Sequence, residues 1–261
     1  MGVATRAAAA VFIIMGLLLT GAAPASAQDR GLSQDFPLRL EDAFPTATGE
    51  GTARGSVRGV LPHRGADRVE APVVLELGVA PRTQVSIGAG LSSEPHETRA
   101  GDVLVAGRYQ FWVQEAVLPN LAAQLAVTAP TGVDSHAWTL EAKGLATRAV
   151  STTLFVHFNA ALAVVDRLDD NARRLRYGLV LGASWIVPRW ASLMLAADVY
   201  AAQAWRRQDT TTVGLEVGFR QRITAGLSWH GAVGTEVAGP AARAALTVTT
   251  GLSYGFSLPG R

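Results

Sequence analysis

The stretch that decides the fold is Val73-Val74-Leu75-Glu76-Leu77-Gly78-Val79, the link Ala80-Pro81-Arg82-Thr83, and Gln84-Val85-Ser86-Ile87-Gly88-Ala89-Gly90-Leu91. Side chains alternate across a strand with a period of two. Val73, Leu75, Leu77 and Val79 therefore share one face, and Val74, Glu76 and Gly78 the other. In the second run Val85, Ile87, Ala89 and Leu91 stand opposite Gln84, Ser86, Gly88 and Gly90. Two alternating runs joined by a short turn make a hairpin. Each has a bulky apolar face and a face of small, polar or charged residues, so the question is which face turns inward.

The same cadence runs from about Thr52 to Phe256 as twelve segments, joined alternately by tight turns and longer polar loops. Val103, Val105, Tyr109 and Phe111 alternate with Arg108 and Gln110. Leu154, Val156, Phe158 and Leu162 oppose His157 and Asn159, and Leu193, Leu195, Ala197 and Val199 oppose Asp198 and Tyr200. Segments over Val213 to Phe219, Ile223 to Trp229 and Leu246 to Phe256 complete the series. The first segment is the least apolar, interrupted by Arg54 and Arg58. Cost then assigns the faces. A slip of one residue would carry Glu76, Arg108, Arg176 and Glu216 to the other side, and a basic residue on the lipid face costs roughly 2–4 kcal/mol at the midplane. The apolar set faces lipid, as in an all-β, transmembrane, antiparallel up-and-down β-barrel of about 12 strands. A soluble barrel would place its bulky residues inside.

Residues 1–27 carry Arg6, an apolar stretch from Ala7 to Thr20 and the small-residue site Ala25-Ser26-Ala27, which together read as a cleaved signal peptide. Residues 28–50 show no strand pattern and form an N-terminal periplasmic or plug segment; 51–261 form the barrel. The sequence has no cysteine, hence no lipidation site at the cleavage point and no thiol metal site. Without the leader, which holds one basic residue, Arg6, the 23 basic residues become 22 against 21 acidic ones. That balance gives no support to a nucleic-acid partner. The longer loops and the aromatic ends of the strands (Tyr109, Phe111, Trp185, Trp190, Phe219, Phe256) set the orientation, with both termini in the periplasm and the aromatics at that interface. Such a chain belongs in the bacterial outer membrane. Its partners there are outer-membrane lipids, lipopolysaccharide and the barrel insertion machinery.

Pro37-Leu38-Arg39-Leu40-Glu41-Asp42-Ala43, Gly101 to Phe111, Val127 to Gly132 and the ending Gly251-Leu252-Ser253-Tyr254-Gly255-Phe256 are similar to outer-membrane barrels grouped under the meta-pathway of phenol degradation. The resemblance spans almost the whole mature chain. It implies a transport protein or channel for small, aromatic or hydrophobic solutes, and carries over no site residue. The chain departs from such barrels in ending five residues beyond its last aromatic, on Ser257-Leu258-Pro259-Gly260-Arg261.

Catalytic and metal motifs are sparse. Asp134-Ser135-His136 lie too close along the chain for the relay of a hydrolase triad. His63, His96 and His136 sit in separate loops without ligand spacing. His157 with Asn159 could imitate a barrel lipase, but the pair faces inward rather than toward lipid. The expectation is no enzyme and no cofactor. What remains is the lumen set: Glu76, Arg108, Glu141, Lys143, His157, Arg174, Arg176, Asp198, Glu216 and Arg220. These charges either line a selective constriction or pair across the lumen as struts. The two readings are a channel or transport barrel for small solutes, and a closed structural barrel without transport.

Overall fold

The structure is a computed structural model, and residues 38–94, 97–133, 137–166, 171–190 and 192–258 are described. The leader at 1–27, the run Asp134-Ser135-His136 and His96 lie outside the described residues.

Thirteen strands follow in chain order: β1 (Glu50–Pro62), β2 (Arg68–Ala80), β3 (Thr83–Glu94), β4 (Glu97–Ala100), β5 (Val103–Trp112), β6 (Asn120–Ala129), β7 (Thr139–Ala149), β8 (Leu154–Val165), β9 (Leu175–Ile186), β10 (Leu193–Ala202), β11 (Thr212–Arg222), β12 (Leu227–Ala238) and β13 (Ala244–Ser257). Each spanning strand pairs antiparallel with the next, and β1 closes the circle on β13 from Glu50↔Ser257 to Leu61↔Leu246. The result is a closed barrel of 12 spanning strands, each paired on both sides. The end where β1 starts and β13 finishes is called the near end below; the opposite end is the far end.

β4 is not a thirteenth stave. β3 pairs with β5 as far as Gly88↔Leu104 and with β4 from Leu91↔Ala100 onward, so one extra residue is accommodated around Gly101 and Asp102. There the Gly101 N–H donates to the Gly90 carbonyl at 2.8 Å. The sequence reading makes 92–100 a polar loop, whereas the hairpin continues beyond the barrel wall through a bulge.

A second difference lies at 223–226. The alternation places Ile223 and Ala225 on a strand, but β11 ends at Arg222 and these residues turn. The Ile223 N–H donates to the Leu227 carbonyl at 2.8 Å, and the Leu227 N–H donates to the Thr224 hydroxyl at 3.1 Å. Local hydrogen bonding by a turn threonine wins over a weak period of two.

Burial follows the predicted faces. Leu125, Leu162, Leu181 and Val199 are all more than half exposed, while their neighbours on the opposite face are buried or half-buried. A continuous exposed apolar surface of this kind calls for hydrocarbon around it. Tyr109, Phe111, Trp185, Trp190 and Trp229 form an exposed aromatic belt toward the near end, with Trp138, Tyr177 and Trp205 toward the far end.

Candidate functional site in the barrel lumen

The inward face gathers charges from around the wall. Glu76, Arg108, Asp198, Glu216, Arg220 and His157 are buried, and Glu141, Lys143 and Arg176 are half-buried. Arg174 is placed differently. It stands exposed in the bend before β9, and its carbonyl accepts the Val165 N–H at 3.0 Å, so the alternation has already ended there.

Some of these charges pair within the wall. Arg54 reaches Glu76 across β1 and β2 at 3.5 Å, and Arg58 spans from β1 to Glu216 on β11 at 3.3 Å. The two arginines that interrupt the first segment are thus inward groups with acidic partners.

The rest of the set is organised by residues 38–48, which lie among the inward side chains. Five backbone N–H groups of this segment donate to the wall, each to a different strand: Arg39 to Glu216 Oε2 (2.9 Å), Leu40 to Asp198 Oδ2 (3.1 Å), Glu41 to Asn159 Oδ1 (3.0 Å), Ala43 to Thr147 Oγ1 (2.9 Å) and Thr46 to Gln84 Oε1 (2.8 Å). Partners on β11, β10, β8, β7 and β3 can all meet one short segment only inside the lumen. Asn159 also donates from Nδ2 to the Glu41 carbonyl at 2.8 Å. Side-chain amides and carboxylates thereby supply what a neighbouring strand would supply to a backbone.

The Glu41 carboxylate is clamped between Arg108 and Lys143. Arg108 donates further to Gln124 Oε1 (3.0 Å) and to the Asp42 carbonyl (3.3 Å), and Lys143 lies 3.5 Å from Glu141. Burial acts to raise the Glu41 pKa, but Lys143 and Arg108 outweigh it and hold the group below the usual carboxylate value. Apolar contacts complete the fit: Leu38 and Leu40 pack with Met194 and Ala196, and Ala43 packs with Ala122 and Leu145. Glycine provides the room. A Cβ at Gly182 would strike the Ala197 carbonyl of the neighbouring strand and stand 3.0 Å from Leu40 Cδ1, and one at Gly78 would strike the Ala47 carbonyl.

His157 does meet a serine, Ser184 on β9, with Nε2 to Oγ at 2.9 Å; its Nδ1 lies 3.0 Å from Thr147 Oγ1. Thr147 also accepts the Ala43 N–H, so a run of hydrogen-bonded groups, Ala43, Thr147, His157 and Ser184, ties the N-terminal segment to β7, β8 and β9.

Above the segment a cavity of about 540 Å³ reaches from mid-barrel, where Leu38, Arg39 and Glu41 line it, to Glu70 and Gln203 toward the far end. Arg58, Glu141, Lys143 and Arg176 also line it. Sequence reasoning placed Glu141, Lys143 and Arg176 on the inner wall but missed Arg58 there, and missed Arg39, Glu41 and Asp42. The available signal was the Glu41-Asp42 pair in a segment without period, next to an inward face rich in cations.

No family model and no curated protein matches the sequence. Among solved structures, the fold is similar to the COG4313 outer membrane channel from Pseudomonas putida F1, with a TM-score of 0.67 and 14% identity over 82% of this chain and 98% of that one. It is also similar to the KdgM porin (TM-score 0.52, 9% identity, 77% of this chain and 98% of that one) and the NanC porin (0.53, 9%, 80% and 100%). At these identities the likeness establishes the fold, a closed antiparallel barrel of the outer-membrane type.

Proposed function

We propose that this chain is an outer-membrane channel or transport barrel for small organic solutes, delivered there by a signal peptide at 1–27, with its near end in the periplasm and residues 38–48 closing its periplasmic half. The observation that carries the reading is the cavity of about 540 Å³ with charged walls, which ends on a segment that is not a stave of the barrel. A wall of 12 strands stands between eight-strand barrels filled by side chains and 16–18-strand porins with an open channel. A filler borrowed from the N-terminus suits that intermediate width and can be displaced without opening the wall. Similar structures are channels and porins, which supports transport over enzymatic work. The apolar and aromatic solutes implied by the sequence resemblance fit a cavity that mixes Leu38, Pro72 and Leu104 with charge.

The test is current through purified protein in planar bilayers, comparing the native chain with one in which residues 38–46 are replaced by a Gly/Ser linker. A rise in steady conductance on replacement is expected. Silence from both proteins would favour the second reading, a closed structural barrel, for which the buried struts Arg54–Glu76 and Arg58–Glu216 are the supporting observation.

A further inference from the structure

We infer that the cavity above residues 38–48 is a binding site for a small organic carboxylate with an apolar body, and that Arg176 on β9 is the group that receives the carboxylate. The inference rests on the channel reading for its biological role, but its geometry stands independently.

The charges around the cavity are almost all matched. Glu41 is held by Arg108 and Lys143, Glu70 by Arg68 at 2.8 Å and Glu141 by Lys143 at 3.5 Å; Arg58 is taken by Glu216. Arg39 has a long contact to Glu236, 3.8 Å, and lies over the Tyr200 ring with its guanidinium carbon 4.0 Å from the centroid. Arg176 has no carboxylate within ion-pair distance and no hydrogen bond among the described residues, and its Nε is buried without a partner. Its guanidinium instead lies 4.4 Å over the Trp205 ring.

This arrangement is built rather than incidental. Trp205 belongs to the 203–211 connection, which is tied to the one before β9: the Arg173 N–H donates to the Trp205 carbonyl at 2.9 Å, and Ala172 bridges Arg206. The backbone that carries the ring is therefore held in place and the guanidinium is stacked on the ring before any ligand arrives, which reduces the ordering cost of binding. Stacking leaves the planar edge of an arginine free for two parallel N–H donations to a carboxylate. Across the strand pairing, Arg176 faces Ala163, and Gly178 faces Ala161, so small residues leave space beside the guanidinium. Leu38, Pro72 and Leu104 supply apolar wall, and about 540 Å³ is within the range that holds small molecules.

The test is isothermal titration of the purified full barrel in detergent with benzoate and with benzamide, which share shape and differ in charge. Saturable binding of benzoate and not of benzamide is expected. Arg176→Gln is expected to weaken benzoate about tenfold or more, the value of one charge-assisted contact. Arg189→Gln, on the near-end turn away from the cavity, should leave benzoate unchanged. Trp205→Leu, in a connection outside the wall, provides a second variant should Arg176→Gln fail to give the compact gel form, and it too should weaken benzoate. Equal binding of the two probes, no benzoate binding, or benzoate affinity unaffected in these variants would overturn the inference. Conductance separates it from the channel reading. Benzoate binding by a barrel that never conducts sinks the channel and leaves the site, whereas conduction without benzoate binding sinks the site alone.

Discussion

Glu41 is one carboxylate with two cations on it, Arg108 and Lys143, and its own backbone is held at both ends by Asn159. A carboxylate whose folded pKa lies below its unfolded one contributes stability above the unfolded value, and loses that contribution as pH falls through the folded value. For Glu41 the shift is downward, so the grip on residues 38–48 should be full at neutral pH and weaken in acid, starting below the ordinary glutamate pKa. Glu41→Gln should remove this pH dependence and destabilise docking of the segment by about 3 kcal/mol, because the buried Arg108 loses its nearest acidic partner while Lys143 keeps only Glu141. The temperature at which the compact gel form is lost, followed from pH 7 to pH 3 in both proteins, measures it; parallel curves would refute the role given to Glu41. At this scale the sequence told half of the story. Arg108 and Lys143 were legible as inward because lipid excludes charge, but their partner was not, since Glu41 sits in a segment without period, 67 and 102 positions away along the chain.

At the scale of an element, the spanning strands were readable because a single cost governs them, whereas the connections obey local chemistry that alternation does not encode. The turn at Thr224 and the bulge at Gly101 were therefore misread, and Arg54 and Arg58, which look like flaws in β1, are inward groups reaching Glu76 and Glu216. Strand β9 shows both kinds of information in adjacent residues. Leu181 is 58% exposed on the outer face, so Leu181→Arg should cut insertion strongly, at a cost of roughly 2–4 kcal/mol, and Leu215→Arg on β11 should act alike. Gly182 points inward, where sequence alone gives it spare room; in the structure the Ala197 carbonyl, Asp198 and Leu40 occupy that room. Gly182→Ser, whose Cβ would also press on the Ala197 carbonyl of the wall, should therefore reach the membrane in greater amount than the arginine variants while loosening residues 38–48, seen as increased protease access to the N-terminal segment. Normal insertion of the two arginine variants would invalidate the face assignment, and an undisturbed segment in Gly182→Ser would invalidate the packing argument.

For the whole molecule, the wall closes on itself through β1 and β13, and the lumen is occupied by a segment that makes hydrogen bonds to inward side chains. The first satisfies the strand edges that hydrocarbon would otherwise leave unpaired; the second can be undone without exposing an edge. Which end receives solute depends on orientation. Connections at the far end are mostly the longer ones, among them 130–138, 166–174 and 203–211, while those at the near end include the two-residue turn 81–82. Barrels inserted from the periplasm keep short turns on that side and long loops outside, so the cavity lined by Arg39 and Arg176 should face the exterior. Single cysteines at Glu97, on the far-end hairpin, and at Gln208, in the 203–211 connection, should react with an impermeant thiol reagent on intact cells. One at Arg189, on the near-end turn, should react only after the outer membrane is breached. The chain has no cysteine of its own, so the labelling needs no background substitution. Labelling of Arg189→Cys on intact cells with protection of the other two would reverse the barrel, and with it the direction from which a carboxylate enters the cavity.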